Sequence, residues 1–89
     1  MRPVSHDRVL RDVGRRISEI RRARSLTQEQ FAEQLDVSVR YIQLVEAGNE
    51  NLTVETMVKF SNALHVPVAT LFERPTAPKT RAGRPKGSA

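Results

Sequence analysis

The sequence predicts an all-α domain of five short helices, residues 6–73, followed by a basic tail, residues 74–89. Three observations predict it. Apolar residues recur at helical spacings from Leu10 to Phe72, and no stretch alternates as a strand would. Helix-capping residues stand ahead of four of these apolar runs. From Arg74 the periodicity stops, and RPTAPKTRAGRPKGSA has the composition of a disordered segment.

The first helix is expected to begin at Ser5 or Asp7, either of which suits an N-cap. Leu10, Val13, Ile17 and Ile20 then fall on one face. Gly14 interrupts that helix at a cost of about 1 kcal/mol relative to alanine. Close approach of a neighbouring helix is one reason to keep it. Thr27 opens the second helix, and Thr27-Gln28-Glu29-Gln30 reads as a capping box. Phe31, Ala32 and Leu35 form its apolar stripe. Asp36 stands where the chain must turn, and aspartate tolerates the left-handed conformation better than most residues.

Ser38 caps the third helix, with Tyr41, Ile42 and Val45 directed inward and Gly48 ending it. Thr53 caps the fourth, whose apolar positions are Val54, Met57, Val58, Phe60, Ala63 and Leu64, with His65 in its last turn. Pro67 suits the first turn of a short fifth helix, leaving Val68, Leu71 and Phe72 to pack.

Composition removes several function classes. With no cysteine there is no disulfide, thiolate metal site or cysteine nucleophile. His6 and His65 are too few and too far apart to suggest a metal site. The carboxylates are scattered over helix surfaces rather than convergent, so neither an enzyme nor a cofactor is expected. No segment approaches the roughly 20 apolar residues of a membrane span, and the N-terminus lacks a signal-peptide run. A cytoplasmic protein is expected.

Charge is unevenly distributed. Residues 1–24 carry eight basic and three acidic side chains, residues 25–73 two basic and seven acidic, and residues 74–89 five basic and none acidic. The two basic ends fit either nucleic-acid binding or solvated surface.

Residues 27–48, TQEQFAEQLDVSVRYIQLVEAG, decide between these. Two capped helices joined by a three- or four-residue turn let one helix lie across a DNA backbone while the next enters the major groove. Small Ala32 admits a close crossing, and Val37, Ile42 and Val45 seal the angle.

This stretch and its flanks resemble the helix-turn-helix family of phage repressors and Cro proteins, which includes restriction-modification controller proteins. The resemblance covers roughly residues 13–73. It is carried by Ile17, Ile20-Arg21, Leu26-Thr27-Gln28-Glu29, Ala32, Val37-Ser38, Tyr41-Ile42, Glu46, Gly48, Ala63-Leu64-His65-Val66 and Leu71-Phe72. Asp36 departs from it, standing where the family usually has glycine. The resemblance implies a compact five-helix domain of the lambda-repressor type. It further implies a homodimer on a two-fold operator in double-stranded DNA.

Gln28 then resembles the family's phosphate-holding glutamine, although it also suits a plain capping box. Ser38, Val39, Arg40, Gln43 and Leu44 lie at positions that face DNA in the family. Arg40 suits guanine O6 and N7 or a phosphate, Val39 a thymine methyl, and Gln43 an adenine or the backbone. Tyr41 either packs its ring or offers its hydroxyl to a phosphate. Asn49 and Asn51 suit phosphate contacts or simple turn chemistry. Arg21 and Glu46 match a structural ion pair that ties the first helix to the third.

In the tail, Arg81-Ala82-Gly83-Arg84-Pro85-Lys86 resembles an AT-hook, whose arginines, here Arg81 and Arg84, enter the minor groove. A solubilising basic tail is the plainer reading. The expected function is a sequence-specific DNA-binding transcriptional regulator. The alternatives are an antitoxin-like module with a protein partner, and a non-specific DNA binder that relies on the tail.

Overall fold

The computed structural model describes residues 3–76. Four α-helices are present: α1 (His6–Ala23), α2 (Gln28–Leu35), α3 (Val39–Glu46) and α4 (Val54–Leu64). Each begins where a side-chain oxygen meets an orphan backbone N–H. Ser5 accepts from Arg8 N–H, Thr27 from Gln30, Ser38 from Tyr41 and Thr53 from Thr56. At Thr27 the capping box is complete, because Gln30 Oε1 accepts from Thr27 N–H at 2.9 Å.

All four helices end alike. A residue with positive φ follows each last turn: Ser25 (59°), Asp36 (58°), Gly48 (81°) and His65 (60°). Its N–H donates back three residues, to Arg22, Glu33, Val45 or Asn62. The next N–H donates back five, to Arg21, Ala32, Leu44 or Ser61. This is the Schellman arrangement, which satisfies the last carbonyls of a helix. Only one of the four positions is glycine.

The expected fifth helix is a 3₁₀ turn instead, Val68–Phe72. Its bonds run from Thr70 N–H to Pro67 O and from Glu73 N–H to Thr70 O. Five residues are too few to complete a stable α-helical nucleus, and short segments favour this tighter form.

The core comprises Val13, Ile17, Ile20, Phe31, Ala32, Ile42, Val45, Phe60, Leu64 and Leu71. Phe31 and Phe60 meet edge to face with ring centroids 5.5 Å apart, an arrangement that adds about 0.5–1.5 kcal/mol beyond area burial. Helix α1 packs across α3, α4 and the 3₁₀ turn, while α2 packs on α3 and α4. Two expected packing residues of α4, Val54 and Val58, face outward, as does Phe72. No helix among the described residues is long and apolar enough to cross a membrane.

Both central glycines are close approaches. A Cβ on Gly14 would strike the Val45 carbonyl oxygen and come within 2.8 Å of that of Glu46. A Cβ on Gly48 would lie 2.7 Å from Arg11 Cα. Helix α1 is therefore seated directly on the C-terminal end of α3. The 3₁₀ turn is tied to α1 by Arg16, whose Nη2 bonds Glu73 Oε1 at 2.7 Å and whose Nε bonds Thr70 O at 3.1 Å.

Candidate nucleic-acid interface

The three residues Asp36–Ser38 join α2 to α3, the turn length expected from the sequence. Asp36 adopts φ 58°, ψ 46°, the conformation a glycine would take there, so its departure from the family pattern leaves the turn intact. Val37 is half-buried and packs on the core, while Ile42 and Val45 are sealed within it. The opposite face of α3 is left outward. Arg40 and Gln43 are exposed, and Leu44 is half-buried.

The other candidates divide between scaffold and surface. Ser38 Oγ accepts from Tyr41 N–H at 3.0 Å, so its oxygen is occupied by capping. Val39 is half-buried and packs partly on the core. Tyr41 does likewise, its ring edge-on to Phe60 at 6.4 Å. Asn49 and Asn51 are exposed in the loop after α3. Arg81 and Arg84 lie outside the described residues.

Arg21 and Glu46 form a buried, two-pronged pair. Arg21 Nε and Nη2 bond Glu46 Oε2 and Oε1 at 2.6 and 3.1 Å, and the two side chains are each 7% exposed. Arg21 Nη1 also donates to Leu26 O at 2.7 Å. Planar guanidinium matches planar carboxylate in such a pair, which fixes orientation as well as charge. The pair locks the end of α3 to α1.

Gln28 adds a link that sequence reasoning missed. Its Nε2 donates to Glu46 Oε1 at 3.0 Å. A carboxylate has no hydrogen to give, so the amide nitrogen must be the end that faces it. The first residue of α2 is thereby fixed to the last residue of α3. One amide hydrogen and the amide oxygen remain for another partner. Nothing in the sequence pairs residues 28 and 46, because α2 must first pack on α3.

Gln28 and Gln43 line one groove with Arg15, Ser18 and Arg22 of α1. The α1 residues carry no motif of their own. Their traces in the sequence are the basic excess of residues 1–24 and their regular spacing, with the apolar residues on the opposite face. No group of His, Cys, Asp or Glu side chains among the described residues could hold a metal ion.

Two capped helices set at an angle through a three-residue turn, with an outward polar face on the second, define a helix-turn-helix domain, the class that enters DNA through its second helix. The chain belongs to the helix-turn-helix family, whose family model matches residues 17–71. It is 32% identical to the restriction-modification controller protein C.AhdI from Aeromonas hydrophila. That match covers 71% of this chain and 96% of C.AhdI, with a TM-score of 0.68. It is 28% identical to the restriction-modification controller protein C.Esp1396I over 72% of this chain and 83% of that one, with a TM-score of 0.65. The fold also matches the clp gene regulator ClgR from Corynebacterium glutamicum at 23% identity, 78% and 69% coverage and a TM-score of 0.68. No curated protein sequence matches the chain at a significant level.

Proposed function

We propose that the chain is a sequence-specific, DNA-binding transcriptional regulator that reads a two-fold operator through the major groove as a homodimer. The observation that carries this is the outward placement of Arg40 and Gln43 on α3, a helix braced by the Arg21–Glu46–Gln28 network. Arg40 reads guanine or clamps a phosphate, and Gln43 reads adenine or the backbone. Leu44 and the exposed part of Val39 offer apolar surface to a thymine methyl. Gln28, Ser38, Tyr41, Asn49 and Asn51 contact the sugar-phosphate backbone around them.

The likeness to two restriction-modification controller proteins supports the regulatory reading. Dimerisation is supported by apolar side chains left outside the core: Val54 is 69% exposed and Phe72 52%. In a dimer that reads successive major grooves, the two α3 helices sit about 34–36 Å apart.

Selection of bound sites from random DNA, followed by gel-shift titration, tests the reading. A two-fold site bound in clear preference to a scrambled duplex at moderate salt is expected. Equal affinity for both duplexes would overturn specificity, and a monomer on DNA at high protein concentration would overturn the dimer.

A further inference from the structure

We propose that the basic face of α1 is a second arm of the DNA interface, in which Arg8, Arg11, Arg15 and Arg22 grip the sugar-phosphate backbone beside the recognition helix. This rests on the DNA-binding reading above and adds to it a surface that the helix-turn-helix itself does not contain.

The family match begins at residue 17, whereas α1 begins at His6. About three helical turns therefore precede the matched region. They are firmly seated on α3. Gly14 lies against the carbonyls of Val45 and Glu46, and Arg11 lies against Gly48. The next residue, Asn49, is a proposed phosphate contact. The extension is thus held at the end of α3 from which the backbone-contacting loop departs.

Charge placement gives this position a purpose. In residues 3–73, every Lys or Arg other than Arg40 and Lys59 lies on α1 or is its C-cap, Arg24. Three of these are bonded to other elements of the fold: Arg16 to Glu73, Arg21 to Glu46, and Arg24 through Nε to Leu64 O at 2.7 Å. Arg8, Arg11, Arg15 and Arg22 form a stripe. Arg8, Arg11, Arg15, Ser18 and Arg22 recur at spacings of three, four, three and four, which is a single helical face. That face lies opposite Val13, Ile17 and Ile20, which enter the core.

Arg8, Arg11 and Arg22 are exposed. Arg15, Ser18 and Arg22 line the same groove as Gln28 and Gln43, on the side proposed to meet DNA. The carboxylates within that groove are bonded, Glu19 to Arg16 and Glu46 to Arg21. Asp7, Asp12 and Glu19 are the acidic residues of α1, and against the four arginines they leave the stripe net positive.

From Arg8 to Arg22 the stripe runs about 21 Å at the helical rise, enough to follow several phosphates of one strand. Residues 25–73 carry only two basic side chains against seven acidic ones. A fold whose reading helix sits in acidic surroundings needs its phosphate contacts supplied from elsewhere. The stripe is the cationic surface adjoining it.

The test compares full-length wild type with the pairs Arg8→Gln/Arg11→Gln and Arg8→Lys/Arg11→Lys. The Gln pair keeps the Cγ of Arg11 that lies against Gly48, and thermal melts check the folding of both pairs. Dissociation constants are measured against salt concentration, on a duplex recovered by selection and on its scrambled counterpart. In the Gln pair the slope of log affinity against log salt should shrink by about 0.9 for each phosphate no longer neutralised. With two such phosphates, a fourfold rise in salt costs the variant about tenfold less affinity than it costs wild type. Both duplexes should be weakened equally, and the Lys pair should keep the wild-type slope. An unchanged slope in the Gln pair, with wild type binding normally, overturns this inference alone. A reduced slope in the Lys pair also overturns it, because it would mark a packing role. If wild type binds no duplex, the DNA-binding reading falls and takes this inference with it.

Discussion

Arg40 and Glu46 show how differently two charged residues on one short helix are used. Arg40 is exposed on the outer face of α3, so truncating it should leave the fold intact. Arg40→Ala is expected to reduce discrimination at one or two base pairs by about 1–3 kcal/mol, the worth of a bidentate base contact. Competition titrations against single-base variants of the selected site would measure this; uniform weakening across all variants would show a phosphate contact instead. Glu46 is buried against Arg21 and Gln28. Glu46→Ala leaves a guanidinium in the interior without its counter-ion, and about 3–5 kcal/mol of stability should be lost. Denaturant unfolding reads this directly, and a midpoint close to wild type would refute the network as a brace.

Gly14 belongs with them. Its replacement by alanine removes about 1 kcal/mol of helix penalty. The added methyl, however, meets backbone carbonyls of α3 that cannot rotate away. Overpacking of this kind costs about 1–3 kcal/mol, so Gly14→Ala should destabilise despite its better helix propensity.

At the scale of elements, starts and stops were unequally legible. The N-caps at Thr27, Ser38 and Thr53 are visible in the sequence, and Ser5 as one of two candidates beside Asp7, because Ser and Thr combine a short side chain with an acceptor oxygen. Of the C-terminal turns, only those at Asp36 and Gly48 are. All four use a left-handed residue, and three of these are Ser25, Asp36 and His65 rather than glycine. Aspartate could be singled out at Asp36. Serine and histidine give little local reason to be placed there, and packing of the following element holds them in it.

A left-handed residue with a Cβ costs roughly 1–2 kcal/mol, and glycine gives back about half of that in chain entropy. The double substitution Ser25→Gly/His65→Gly should therefore raise stability by about 1 kcal/mol and the melting temperature by roughly 4–8 °C in a domain this small. Calorimetry checks it; a lower melting temperature would show that these side chains make contacts worth more than the strain. The 3₁₀ turn was expected as an α-helix because Pro67 and the apolar Val68, Leu71 and Phe72 suit either form. Its length decided the outcome, along with the bonds from Arg16 that hold it to α1.

For the whole molecule, the proposed function assigns selection and attraction to differently charged parts of the chain. Residues 25–73, which contain α2 and α3, are net acidic. Both flanks are basic. Removal of residues 77–89, which leaves intact the described bond from Thr76 N–H to Glu19 Oε1, should lower affinity and salt slope together. The ratio between specific and scrambled DNA should hardly change. A collapse of that ratio in gel-shift titrations would instead assign base or minor-groove reading to Arg81 and Arg84.

The sequence by itself determined the helical class, the helix starts and the helix-turn-helix, because each depends on spacing and capping within a dozen residues. It also singled out Arg21 with Glu46, through a family pattern rather than through proximity along the chain. Only the tertiary structure decided which polar residues act together. Gln28 reaches Glu46, Arg11 reaches Gly48, and the arginine stripe of α1 joins the groove of Gln28 and Gln43. These contacts arise when α1 lies across α3. That crossing is set by two glycines and a buried ion pair, whose partners lie tens of residues apart.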